Sequence, residues 1–188
     1  MIGCFSKRIT LEESSELKGE KMAIENREGP YIRRIVTGHD ADGKATVWID
    51  GPATNHKFPN DTMSSTLMWL TDSTPADYTI DEDTGSRIVG TPPPPGGTRF
   101  AILELQPGNE YHGQHRTDTL DYCICLSGQI EMKLDDEVVK MSPGDVLIQR
   151  GTRHAWVNRG TQPARVACVL IDGKPKRSDS VSGMQTAR

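Results

Sequence analysis

The sequence predicts an all-β protein, a sandwich or a barrel. Three features predict it. Short runs rich in β-branched and aromatic residues recur along the chain. Turn signals separate them: HDADGK, LSGQ, LDDE, SPGD and RGTR. Helical periodicity is almost absent between them, which favours sheets packed on sheets.

Taken in order, the first thirty residues form an N-terminal segment, expected to be partly helical or disordered. Within it, Thr10 followed by Glu13 makes a candidate capping box for LEESSELKGEKM. The apolar face of that helix, Leu11 and Leu17, is thin. YIRRIVT (31–37), ATVWID (45–50) and STLMWL (65–70) then read as strands. HDADGK (39–44) alternates Asp40 and Asp42 before Gly43 in the manner of a calcium loop, but lacks the remaining ligands, so a hairpin turn is the reading. His39 and His56 lie in turn-like segments and are expected to face solvent.

The acidic stretch TDSTPADYTIDEDTGSRIVGTPPPPGG (71–97) is the longest loop and ends in a stiff polyproline spacer. A loop this long in a compact domain is a flap or is disordered. Seven further strands follow: TRFAILELQ (98–106), LDYCICL (120–126), QIEMKLD (129–135), EVVKM (137–141), DVLIQ (145–149), HAWVN (154–158) and ARVACVLID (164–172). In this division residues 31–172 are one domain with its barrel core at 95–172, and the polar, basic 173–188 is a disordered tail.

The bulk properties narrow the function classes. A chain of 188 residues holds one domain with a real core. A net charge of −4 argues against nucleic acid. No apolar run approaches the roughly 18 residues of a membrane span, and the N-terminus has no secretory h-region. Cytoplasmic location is the default. Cys4, Cys123, Cys125 and Cys168 do not form a disulfide framework in a chain this long. Cys123 and Cys125, two apart, share one face of a strand as small core residues.

The chemistry concentrates in GNEYHGQHRTDTLDYCICLSG (108–128) and RGTRHAWVN (150–158). From residue 98 to 172 the chain resembles the cupin superfamily. The spacing His115-x-Thr117-x3-Asp121-x6-Gly128 matches the family's first motif, with threonine for its second histidine and aspartate for its glutamate. Gly108 lies one residue too far from His115. Gln149, Gly151, His154 and Asn158 match the second motif in spacing, with glutamine for proline, while Gly144 is one residue too close.

The resemblance implies a jelly-roll β-barrel with N-terminal strands that extend its sheets or cross to a second subunit, hence a homodimer. It also implies a site of His115, Asp121 and His154, with one divalent transition metal (iron, zinc, manganese or nickel) on imidazole and carboxylate ligands, or no cofactor at all. Strand alternation supports the grouping, since residues 115, 117, 121, 123 and 125 share one parity. Thr117 is a poor ligand, which leaves two histidines and one carboxylate, a set that suits iron(II) or catalytic zinc. His112, three residues before His115, points the other way unless a bulge re-aims it into the metal set. Thr117, Gln149, Trp156 and Cys123 are candidates for the substrate pocket, Trp156 as a stacking wall. Arg153 lies in the same run. Phe100, Ile102 and Glu104 share a face, with Glu104 read as solvent-facing.

Without metal, Asp121 beside a histidine would raise its basicity and support isomerisation, dehydration or decarboxylation. The pattern is similar to small cupins found beside catabolic or natural-product pathways. Three functions follow. One is an acid–base or metal-assisted enzyme (lyase, isomerase or decarboxylase) on a small, largely apolar, aromatic or polyketide-like substrate. The second is a non-haem iron dioxygenase, and the third a non-catalytic cupin that binds a small ligand.

Overall fold

A computed structural model describes residues 27–110 and 113–175. The candidate helix at Leu11, His112 and nearly all of the expected tail lie outside them. Among the described residues there are twelve strands: β1 (Arg33–His39), β2 (Ala45–Pro52), β3 (His56–Asn60), β4 (Met63–Thr71), β5 (Thr98–Leu105), β6 (Asn109–Glu110), β7 (Thr119–Ser127), β8 (Ile130–Lys133), β9 (Val138–Met141), β10 (Val146–Arg150), β11 (Ala155–Asn158) and β12 (Ala164–Asp172). All ten strands expected from the sequence form. The two additional ones are β3 and β6. Among the described residues no helix is long and apolar enough to cross a membrane.

The strands build a jelly roll. One sheet has the order β10-β7-β12-β5-β4-β3 and the other β6-β11-β8-β9. β1 and β2 form a separate hairpin. Its turn is the HDADGK segment, where the Asp40 carboxylate accepts from the Asp42 and Lys44 amides. The core lies between the two sheets. On β7 strict alternation buries Asp121, Cys123 and Cys125 and exposes Tyr122, Ile124 and Leu126. Leu105, Ile130, Met132, Trp156, Val166, Cys168 and Leu170 complete that interior. Each large apolar side chain so buried contributes roughly 1.5–3 kcal/mol.

The outer face of β5 and β12 is covered by the chain's own N-terminal part. Ile32 and Ala53 pack there on Met68, Ile102 and Ala167, with Phe100 beside them. So Phe100, Ile102 and Glu104 do share a face, and it is the outer one. Glu104 is ion-paired with Arg165 at 2.6 Å. The other phase of β5, beginning at Arg99, points into the barrel.

His56 departs from expectation. It sits on β3, half-buried, with Nδ1 2.9 Å from the Thr66 hydroxyl. Burial lowers its pKa. The long loop is tied down on the β4 side. Arg34 grips Asp83 with both guanidinium ends, and Thr84 exchanges hydrogen bonds with the Leu70 backbone. Arg87 pairs with Glu82 and Asp72.

Candidate functional site

The register of the larger sheet places Arg99, Leu170, Asp121 and Gln149 in one row, on β5, β12, β7 and β10. All four point into the barrel, and the three polar ones are 4, 5 and 3% exposed. A polar row inside an apolar core is costly unless its groups find partners. Here three atoms find none: Arg99 Nε, Asp121 Oδ1 and Gln149 Oε1.

The histidines close the row from the side of β11. His115 and His154 pair as an isolated antiparallel bridge, each donating its amide to the other's carbonyl at 3.0 Å. Their rings lie 4.4 Å apart between centroids. Trp156, two residues after His154, meets that ring edge-on at 6.2 Å.

Gln149 occupies the position where the resembled motif has proline, and its side chain supports His154. Its amide nitrogen lies 2.8 Å from His154 Nδ1 and 3.3 Å from the Thr152 carbonyl, while Nδ1 is also 3.0 Å from that carbonyl. Both neutral tautomers are therefore satisfied. With Nδ1 protonated, it donates to Thr152. With Nδ1 bare, it accepts from Gln149, whose second proton serves Thr152.

The electrostatics reverse the sequence expectation that a carboxylate raises the histidine's basicity. Burial pushes His154 down to about 4, opposed by the Thr152 carbonyl and reinforced by His115. His115 is lowered too, again by burial. No carboxylate is hydrogen-bonded to the Nδ1 of His154; an amide and a carbonyl are. The group tuned towards neutrality is Asp121, raised to about 6 by burial, with the Thr119 hydroxyl offsetting part of the shift.

The other candidates fall as follows. Thr117 is buried, its hydroxyl accepting from Thr119 at 2.9 Å. Cys123 lies one row deeper than Asp121, opposite Cys168 on β12, and its thiol meets that of Cys168. It is part of the apolar core. Arg153 is exposed. Asn158 is fully buried and clamps the Leu105 and Gln162 carbonyls, a structural role.

Among the described residues no group of three or more His, Cys, Asp or Glu is placed to hold a metal ion. The two imidazoles, tilted 52° to each other, make a ligand pair, but no carboxylate among the described residues joins them as a third ligand. The hydroxyl of Thr117 is engaged by Thr119, and His112 lies outside the described residues. Among the described residues the set expected from the resemblance is thus incomplete.

A groove of about 560 Å³ runs along the seam between β10 and the β8–β9 edge. Met132, Leu134, Val139 and Leu147 give it apolar walls, and its lining includes Gln149 and Thr152, the two partners of His154. That volume suits a small molecule. Arg99 escaped the sequence reading because both phases of TRFAILEL carry apolar residues, so alternation alone could not tell which phase faces inward. The Ala101, Leu103, Leu105 series was the available signal.

The Cupin domain family (Cupin_2) matches residues 101–170, which include both histidines and Asp121. A phomopsin biosynthesis cluster protein of Diaporthe leptostromiformis is 34% identical over 169 residues, 82% of this chain and 87% of that one. An oryzines biosynthesis cluster protein of Aspergillus oryzae is 31% identical, covering 81% of this chain and 89% of that one. The cupin-domain-containing oxidoreductase srdD of Neurospora crassa is 34% identical, covering 80% and 82%.

Proposed function

The chain belongs to the cupin superfamily, and from that premise we propose that it is an enzyme of natural-product metabolism performing acid–base chemistry on a small, largely apolar molecule. One observation carries the reading: a carboxyl raised to about 6 lies in the same buried interior as two neutral imidazoles. A group titrating near working pH combines the right protonation state with a useful driving force, which makes Asp121 the general base. His154 is a neutral ring with both tautomers supported, able to donate at one nitrogen while accepting at the other. His115 packs its ring against that of His154 at a tilt, and Trp156 walls it edge-on.

The apolar groove receives the body of the substrate, with Gln149 and Thr152, the hydrogen-bond partners of His154, in its lining. Proton removal and return, as in isomerisation, dehydration or decarboxylation, is the chemistry this set performs. The biosynthesis-cluster names of the relatives support a natural-product substrate.

Deletion of the gene in a producing host accumulates the substrate, and turnover of that compound tests the reading. We expect kcat/KM to rise through a pH of about 6, and Asp121→Asn to remove that limb together with at least about a hundredfold of rate. Wild-type turnover in Asp121→Asn would sink the assignment. Affinity without product would favour a binding protein instead.

The oxidoreductase name of the Neurospora crassa relative favours a second, redox reading of the same cavity, the iron dioxygenase among its forms. Elemental analysis of protein purified without chelator, followed by iron(II) addition, tests it. Protein free of iron and not activated by it excludes the iron-dependent form.

A further inference from the structure

We propose that Arg150 makes the apolar groove selective for molecules that carry a carboxylate. The proposal deepens the small-molecule reading above and rests on the groove assigned there, not on the proton transfer given to Asp121. Arg150 is the last residue of β10 and lines the groove itself, whose volume of about 560 Å³ holds a small molecule. It is exposed, and among the described residues it has no ion pair.

Charge is distributed unequally along the groove. Three charged residues line it, Lys140, Asp145 and Arg150. Lys140 lies 3.5 Å from Glu131. Asp145 accepts from the Ser142 amide at 2.8 Å. From Asp145 to Arg150 an extended chain rises roughly 16 Å. That is about two screening lengths at physiological salt, so an anion beside Arg150 feels little of the opposing charge of Asp145.

The far side of Arg150 adds to its field. The register sets Leu120, at the start of β7, between Arg150 on β10 and Ile171 on β12. β10 and β12 therefore finish at one level. A second hollow, of about 420 Å³, opens there, and it shares Arg150 and Thr152 with the groove. Its other charged residues are Arg116, Asp118 and Lys174. Asp118 is its one carboxylate among the described residues, and Arg116 holds it at 2.8 Å. Asp172, close by along the chain, accepts from the Gly96 amide at 2.7 Å. Lys174 has no ion pair among the described residues. Arg150 and Lys174 thus stand together as two cations without a protein carboxylate, in a chain whose net charge is −4. A local positive pole of this kind steers anions to itself. The guanidinium fork then binds a carboxylate through two parallel hydrogen bonds. A ligand held so has its acid beside Gln149 and Thr152, the partners of His154, and its apolar part along Leu147, Val139 and Leu134.

The experiment compares 4-phenylbutanoate with its neutral amide, 4-phenylbutanamide, by calorimetric titration of the full chain. We expect the wild type to bind the acid at least about fivefold more tightly than the amide. Arg150→Gln should bind the two alike and keep its affinity for the amide. Lys174→Gln should lower the preference at least about twofold. Lys44→Gln, the same change of charge in the β1–β2 turn, should leave it as it is. Equal affinity of the wild type for both probes overturns the proposal and leaves the groove assignment standing. Binding of neither probe removes both. An unchanged preference in Arg150→Gln, or an equal loss in Lys44→Gln, also overturns the proposal, the second because net charge alone would then be at work. If Arg150→Gln does not fold, Lys174→Gln decides, and an unchanged preference there overturns the proposal.

Discussion

Asp121 and His154 are opposite cases of one physical cause. Burial disfavours charge, so it raises the acid from 3.8 to about 6 and lowers the base from 6.5 to about 4. The consequences for stability have opposite signs. Between pH 6.5 and 4 the unfolded chain binds a proton at His154 that the folded chain refuses, so acidification destabilises. Between pH 6 and 3.8 the folded chain binds a proton at Asp121 that the unfolded chain does not, so acidification stabilises. Each effect is on the order of 3 kcal/mol, so the two nearly cancel. Removing one exposes the other. Asp121→Asn should lose stability relative to wild type as pH falls from about 6.5 to about 4, on the order of 3 kcal/mol of divergence. His154→Gln should diverge in the other direction. Urea midpoints across that range read both, and parallel curves for all three proteins would show that the two groups are not desolvated together.

Elements are set by turns as much as by strands, and the β7–β8 turn shows how tightly. Gly128 has φ 70°, and a Cβ there would stand 2.6 Å from the Pro163 carbonyl oxygen. Gly144, between β9 and β10, has φ 95° but open space around it. Gly128→Ala should therefore cost both the left-handed penalty, about 1–2 kcal/mol, and a backbone clash, while Gly144→Ala costs only the first. Chemical denaturation of the two variants decides it; equal losses would mean that the turn yields.

The same level explains what was legible in the sequence. Ten strands were visible because alternation and turn residues mark them locally. β3 was not, because HKFPN is polar and contains Pro59, which an edge strand tolerates. β6 is two residues long and has no pattern to show. The motif spacing singled out His115 and His154 but not their direct backbone pairing, since spacing sets strand position and not where side chains converge. The direction of the His154 shift depends on burial and on Gln149, neither of which a linear pattern contains.

The whole molecule leaves half of one sheet face bare. The N-terminal residues cover β4, β5 and β12 with Ile32 and Ala53. Beyond that cover, Tyr122, Ile124 and Leu126 on β7 and Val146 and Ile148 on β10 stand 42–63% exposed. They are register neighbours, Val146 opposite Ile124 and Ile148 opposite Tyr122, so they form one continuous patch. β10 is also the open edge of its sheet. The β1–β2 hairpin adds exposed Ile35, Val47 and Trp48, with Trp48 edge-on to Trp69 of β4. A contiguous apolar face beside an unpaired edge is a surface built for association. The homodimer implied by the resemblance would form there, a second copy covering on β7 and β10 what the N-terminal residues cover on β5 and β12. Sedimentation should then show a dimer at micromolar concentration, and Ile124→Lys with Ile148→Lys should give a folded monomer, because both side chains lie outside the core. A wild-type monomer, or a dimer indifferent to both lysines, would move the interface elsewhere or remove it.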